Sequence, residues 1–116
     1  MKHLVRLAVV LSAMTASLTP ITALAQSTLG SLRGTAVDAS GASIPGAAAT
    51  LRSTDQSTVR SAVCDSSGAF VFENLNPGKY TLTVAHSGFS ITNLTGIALD
   101  ARQALRVTVT LAVSAE

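Results

Sequence analysis

His86 and Cys64 are the side chains best suited to chemistry, because an imidazole or a thiolate near neutral pH can act as base, nucleophile or metal ligand. Beyond residue 25 each of these residue types occurs once. A zinc site takes three or four protein ligands, and this pair supplies at most two. Serines and aspartates are present in number, but a hydrolytic triad is defined by geometry rather than by inventory. His86 follows a strand pattern beside a turn and reads as a solvated loop residue. Cys64 reads as a small strand residue that packs as a weak hydrophobe. As the single cysteine it can form no disulfide within the chain, and it lies too far from residue 25 to be the lipidated start of a lipoprotein.

A second candidate is the repeated pattern D-x-S-G-A, at Asp38-Ala39-Ser40-Gly41-Ala42 and again at Asp65-Ser66-Ser67-Gly68-Ala69. A calcium loop gathers several oxygen ligands from spaced acids, whereas each copy offers one carboxylate. The turn chemistry is more direct. Asp at the first position accepts from a backbone N–H two residues on, and Gly at the fourth takes a positive φ without steric cost. Both copies are therefore expected to be hairpin corners. Asn93-Leu94-Thr95 fits the N-glycosylation acceptor pattern and is treated as a chance match. No glycine-rich loop precedes a predicted helix. No catalytic, cofactor-binding or metal-binding residue is expected, and the chain does not read as an enzyme.

The elements that hold these residues are strands. Leu105, Val107, Val109, Leu111 and Val113 alternate with Arg106, Thr108, Thr110, Ala112 and Ser114, which predicts a strand with one buried face. The same alternation predicts strands near Leu32–Asp38, Ala47–Ser53, Thr58–Asp65, Ala69–Glu73 and Tyr80–Ala85. Ala47, Ala49 and Leu51 share one face, as do Phe70 and Phe72. Ile91–Asp100 is interrupted by Asn93 and Gly96, although Ile97 and Leu99 can line a sheet. Leu75 is expected to plug the end of the core before Pro77-Gly78 reverses the chain, and Phe89 to cap its edge. Tyr80 and Phe89 stand in register with a buried face, so they are expected to pack rather than to stack a ligand. Turn signals recur about every 8–12 residues, and no helical period runs through residues 26–116. The fold class is all-β: about seven strands in a two-sheet sandwich.

Residues 1–25 have the layout of a signal peptide. Lys2, His3 and Arg6 precede an apolar run from Leu7 to Leu18, and Ala23-Leu24-Ala25 is a small-x-small cleavage site. Ser12, Thr15, Ser17, Thr19 and Pro20 break up a span that a membrane anchor would keep apolar. The expected address is exported: periplasmic, outer-membrane-associated or secreted. Residues 26–116 form one domain, with no transmembrane segment expected. In that domain Arg33, Arg52, Arg60, Lys79, Arg102 and Arg106 balance Asp38, Asp55, Asp65, Glu73, Asp100 and Glu116, so the net charge is zero. With no basic stripe and few aromatics, nucleic acid is excluded as a partner.

Five stretches in order resemble one family. They are Leu32-Arg33-Gly34-Thr35-Ala36-Val37-Asp38; Ser40-Gly41-Ala42 with Ile44-Pro45-Gly46-Ala47; Asp65 with Gly68-Ala69-Phe70-Val71-Phe72; Leu75 with Pro77-Gly78-Lys79-Tyr80-Thr81-Leu82-Thr83-Val84; and Gly88-Phe89. Together they look like the carboxypeptidase regulatory-like domain, over roughly Leu29 to Val113. The resemblance implies a seven-stranded, transthyretin-like (immunoglobulin-like) sandwich with no active site of its own. The pattern, including the closing Val107 to Ala115, is more similar to the version found as the N-terminal extension of bacterial outer-membrane receptors that depend on TonB. Such receptors continue into a plug and a barrel, and receptor transport is not expected of these residues.

The function expected is a non-catalytic exported module that mediates protein contacts or acts as a spacer at the cell envelope, its partner an envelope protein. The alternative is carbohydrate binding, with a glycan as partner. Against that alternative, residues 26–116 hold no Trp and only Phe70, Phe72, Tyr80 and Phe89 as aromatics. A peptidase, by association with carboxypeptidases, lacks any metal or nucleophile constellation.

Overall fold

A computed structural model describes residues 27–114, together with Ser17. The predicted signal peptide, residues 1–25, otherwise lies outside the described residues. The described chain is all-β: β1 Gly30–Val37, β2 Ala48–Ser53, β3 Val59–Val63, β4 Ala69–Leu75, β5 Gly78–Ala85, β6 Thr92–Leu99 and β7 Ala104–Thr110. These form two sheets, one of three strands in the order β4-β1-β7 and one of four in the order β3-β2-β5-β6. All neighbouring pairs are antiparallel except β1 and β7, which run parallel.

The alternation written into each strand sets the core. Leu32 and Ala36 of β1, Phe70 and Phe72 of β4 and Val109 of β7 face inward from one sheet; Ala49 and Leu51 of β2 and Tyr80, Leu82 and Val84 of β5 face them from the other. Ala47, Cys64, Leu75, Leu99 and Leu111 close the ends. A fully buried Leu, Val or Phe contributes about 1.5–3 kcal/mol, and the Phe70 and Phe72 rings add an edge-to-face contact at 5.9 Å between centroids. The inward row of β2 ends in a polar residue: Ser53 is buried, its hydroxyl accepting the Gln56 N–H at 3.1 Å.

Several boundaries differ from the alternation pattern, in two regions for clear physical reasons. β7 ends at Thr110 instead of continuing to Ser114, and Val113 is 73% exposed. The last ladder bond is Leu111 N–H to the Val37 carbonyl, and beyond Val37 the partner strand turns away at Asp38. Residues 112–114 pair instead with the loop at 88–90, Ser90 N–H donating to Ala112 and Ser114 N–H to Gly88. Leu105 and Val107 are only half-buried, because β7 is the last strand of its sheet. Conversely, β4 runs on to Leu75 and β5 begins at Gly78, because the Asn76-Pro77 turn joining them is tight.

Candidate functional site

The structure distributes the chemically capable residues among separate structural tasks. His86 follows β5 and is half-buried rather than fully solvated, its ring edge-on to Phe89 at 5.8 Å. Its Nδ1 lies 3.0 Å from the Ser87 carbonyl oxygen. A carbonyl only accepts, so in this contact Nδ1 is the donor. Cys64 is buried, and burial first, then the neighbouring Asp65 charge, pushes its thiol above the usual range. Gly46 stands between them: its N–H donates to the Cys64 carbonyl at 3.1 Å, and a Cβ there would be 4.0 Å from His86 Nε2. No hydrogen bond links imidazole and thiol among the described residues.

The D-x-S-G-A copies are near-identical corners. Asp38 Oδ1 accepts from Ser40 N–H at 2.9 Å, Ser40 Oγ–H at 2.6 Å and Ala42 N–H at 3.0 Å. Asp65 Oδ1 accepts from Ser67 N–H at 2.9 Å, Ser67 Oγ–H at 2.7 Å and Ala69 N–H at 3.0 Å. Both carboxyls are held below their ordinary range, most strongly by the serine hydroxyl and then by the N–H at the fifth position. The hydroxyl bond is the part the Asp-Gly pattern alone does not reveal. Gly41 and Gly68 take positive φ of 86° and 76°. Among the described residues no group of three or more His, Cys, Asp or Glu is placed to hold a metal ion.

Tyr80 is buried with its hydroxyl donating to the carbonyl of Asn76, four residues upstream. It pins the chain entering β5 in the manner of a tyrosine corner. Burial raises its pKa. Asn93, of the glycosylation pattern, lies on β6 and accepts from Thr83 Oγ1–H at 2.7 Å.

The sequence reading missed a feature of the outer face of the three-stranded sheet. An open groove of about 350 Å³ is lined there by Arg33, Thr35, Ala69, Val71, Arg106 and Thr108. The parallel β1–β7 ladder puts Arg33 beside Arg106 and Thr35 beside Thr108. Glu73 Oε1 lies 3.9 Å from Arg33 Nη2. The signal available in the sequence was that both arginines occupy outward positions in the middle of alternating strands.

A two-sheet sandwich whose polar side chains mostly serve corners and strand entries defines a β-sandwich module. The chain belongs to the carboxypeptidase regulatory-like domain family, whose model matches residues 31–112. No curated protein sequence matches it. Among solved structures it is similar to the pilus 2b backbone protein of group B streptococcus, with 18% identity over 73% of this chain and 41% of that one and a TM-score of 0.56. It is similar to a putative carbohydrate binding protein from Bacteroides uniformis ATCC 8492, with 12% identity, 74% and 42% coverage and a TM-score of 0.60. It is also similar to 3-chlorocatechol 1,2-dioxygenase from Rhodococcus opacus 1CP, with 12% identity, 77% and 62% coverage and a TM-score of 0.58. The chain spans less than two thirds of each of these structures, and the shared property is the fold.

Proposed function

We propose that this protein is a non-catalytic, exported β-sandwich module that mediates protein contacts, or spaces other parts apart, at the bacterial cell envelope. In this reading it is a relative of the N-terminal extension of TonB-dependent receptors. One observation carries the proposal: Leu32, Leu51, Phe70, Phe72 and Leu82 are consumed in joining the two sheets, while β7 keeps one edge without a partner strand among the described residues. Such an edge presents N–H and C=O groups that an extended segment of another protein can pair with. The basic, apolar and small-residue layout of residues 1–25 supports export.

Carbohydrate binding is the second reading, favoured by the likeness to the Bacteroides uniformis structure. Against it, Phe70, Phe72 and Tyr80 are buried and Phe89 is half-buried, so none of these rings lies open as a stacking platform. The test is to immobilise the full chain, expose it to solubilised envelope proteins of its host with cross-linking, and identify what is retained by mass spectrometry. A reproducible envelope protein is expected. Indifference to all of them, with retention on a glycan array, would replace the first reading by the second.

A further inference from the structure

The outer face of the three-stranded sheet holds two cations where simple electrostatics would separate them. Arg33 and Arg106 are register partners on β1 and β7, and like charges directly opposite one another on neighbouring strands destabilise a sheet. Glu73 lies near Arg33 only, at 3.9 Å, with both side chains more than half exposed. Arg106 has no ion pair or hydrogen-bond partner among the described residues. Thr35 and Thr108 line the same groove, and the partly exposed Val71 is the register partner of Arg33 on its other side.

The backbone beside this pair is available as well. The ladder to β1 uses the odd-numbered residues at both ends of β7: Ser31 N–H donates to the Gln103 carbonyl and Leu111 N–H donates to the Val37 carbonyl. In a parallel strand a residue's N–H and C=O point the same way and successive residues alternate. The N–H and C=O of Arg106 and Thr108 therefore point to the edge that no strand borders among the described residues.

We propose that an extended acidic segment of a partner protein adds as a strand along the free edge of β7, seating a carboxylate on the guanidiniums of Arg33 and Arg106. The inference rests on the contact-module reading above and names its surface and the chemistry of its partner. An outward Glu or Asp on the added strand stands about 5 Å from Arg106 between Cβ atoms. It stands roughly 10 Å from Arg33, two strand spacings away and within the joint reach of extended Arg and Glu side chains. Guanidinium forks fit carboxylates two bonds at a time, and the shared anion removes the repulsion between the arginines. An acidic polysaccharide carries the same carboxylate but cannot supply the main-chain bonds that the edge offers.

The test uses the full chain and a fluorescently labelled ten-residue peptide of alternating Glu and Thr, followed by anisotropy. The Gln-Thr counterpart and polygalacturonate are the comparison arms. The Glu peptide is expected to bind, with affinity falling as salt rises. Arg33→Gln with Arg106→Gln is expected to weaken it at least about tenfold, and Glu73→Gln, which releases Arg33, to strengthen it. Thr108→Pro, which removes one edge N–H and leaves the β1 ladder intact, is expected to weaken it too. Hydrogen exchange at Arg106 and Thr108 N–H should slow in the complex. Equal binding of Glu and Gln peptides, or no effect of the arginine changes, overturns the proposal, as does polygalacturonate binding without peptide binding. If the acidic peptide fails while an envelope protein is still captured, this inference falls and the contact-module reading stands.

Discussion

Gly34 and Phe70 are cross-strand partners in the three-stranded sheet, and the Phe70 ring lies over the glycine so closely that it occupies the place of a side chain. A Cβ at position 34 would stand 2.7 and 2.8 Å from two ring carbons and closer still to a third. Phe70 is 2% exposed and also packs edge-on to Phe72, so the ring has little room to yield. Gly34→Ala is expected to destabilise by about 1–3 kcal/mol, as overpacking does, read as a lower urea midpoint with unchanged slope. An unchanged midpoint would mean that the ring moves freely.

The two equivalent corners differ in what surrounds their glycines. A Cβ on Gly41 meets nothing within 4 Å, whereas one on Gly68 would lie 2.7 Å from the Ala36 carbonyl oxygen and 3.0 Å from Ser43 Cβ. Both sit at positive φ, which costs an L-residue about 1–2 kcal/mol. Gly41→Ala is expected to show that conformational cost alone, and Gly68→Ala a larger loss because a backbone oxygen must also move. Equal losses in thermal or urea unfolding would sink the distinction.

Acid sensitivity should come partly from the same corners. The bonds to Asp38 and Asp65 favour the ionised carboxyl, so the folded pKa of each lies below its ordinary value of 3.8. A depressed folded pKa contributes stability above the unfolded value, and that contribution disappears as pH falls through the folded one. The urea midpoint is expected to drop on acidification below about pH 4. The drop should be shallower in the Asp38→Asn, Asp65→Asn double variant, and parallel acid limbs for the two proteins would refute the assignment.

Tyr80 offers a single-atom change. Tyr80→Phe keeps the buried ring and removes the hydroxyl that donates to the Asn76 carbonyl. The expected loss is about 1 kcal/mol, with hydrogen exchange near Asn76 speeding more than in β2. An equal or greater stability would show that the corner does not pin the strand.

Local chemistry made much of this molecule legible before its structure was known. Ala49 and Leu51, or Leu82 and Val84, declare an inward face because a strand repeats every two residues, and all four are buried. Asp38 and Asp65 announce corners because their bonds run to residues two and four positions on. The boundary of β7 was not legible, since it depends on where β1 turns away and not on the alternation at Val113. Ser53 was not legible as a buried residue, because its hydroxyl is satisfied by the loop it closes. The Arg33–Arg106 juxtaposition was hidden for a related reason: a parallel pairing of the first and last strands leaves no short-range trace.

Cys64 tests whether the sandwich is closed around its one thiol. It is 5% exposed, Cys64 N–H is bonded to the Ala47 carbonyl at 2.8 Å, and burial holds the thiol above its ordinary pKa. A thiol reagent needs a thiolate it can reach, so the folded protein is expected to react only through forms in which the segment carrying residue 64 is open, at a rate set by their population. Sub-denaturing urea should accelerate labelling in proportion to the population of open forms. Gly46→Ala bears on the same point, because Gly46 N–H is bonded to the Cys64 carbonyl and Gly46 has a φ of 76°. Straining that contact is expected to raise the labelling rate more than it lowers global stability. If Cys64 in the wild-type chain reacts as fast as a free cysteine at neutral pH, the thiol is not enclosed, and the packing of the sandwich at that end is wrong.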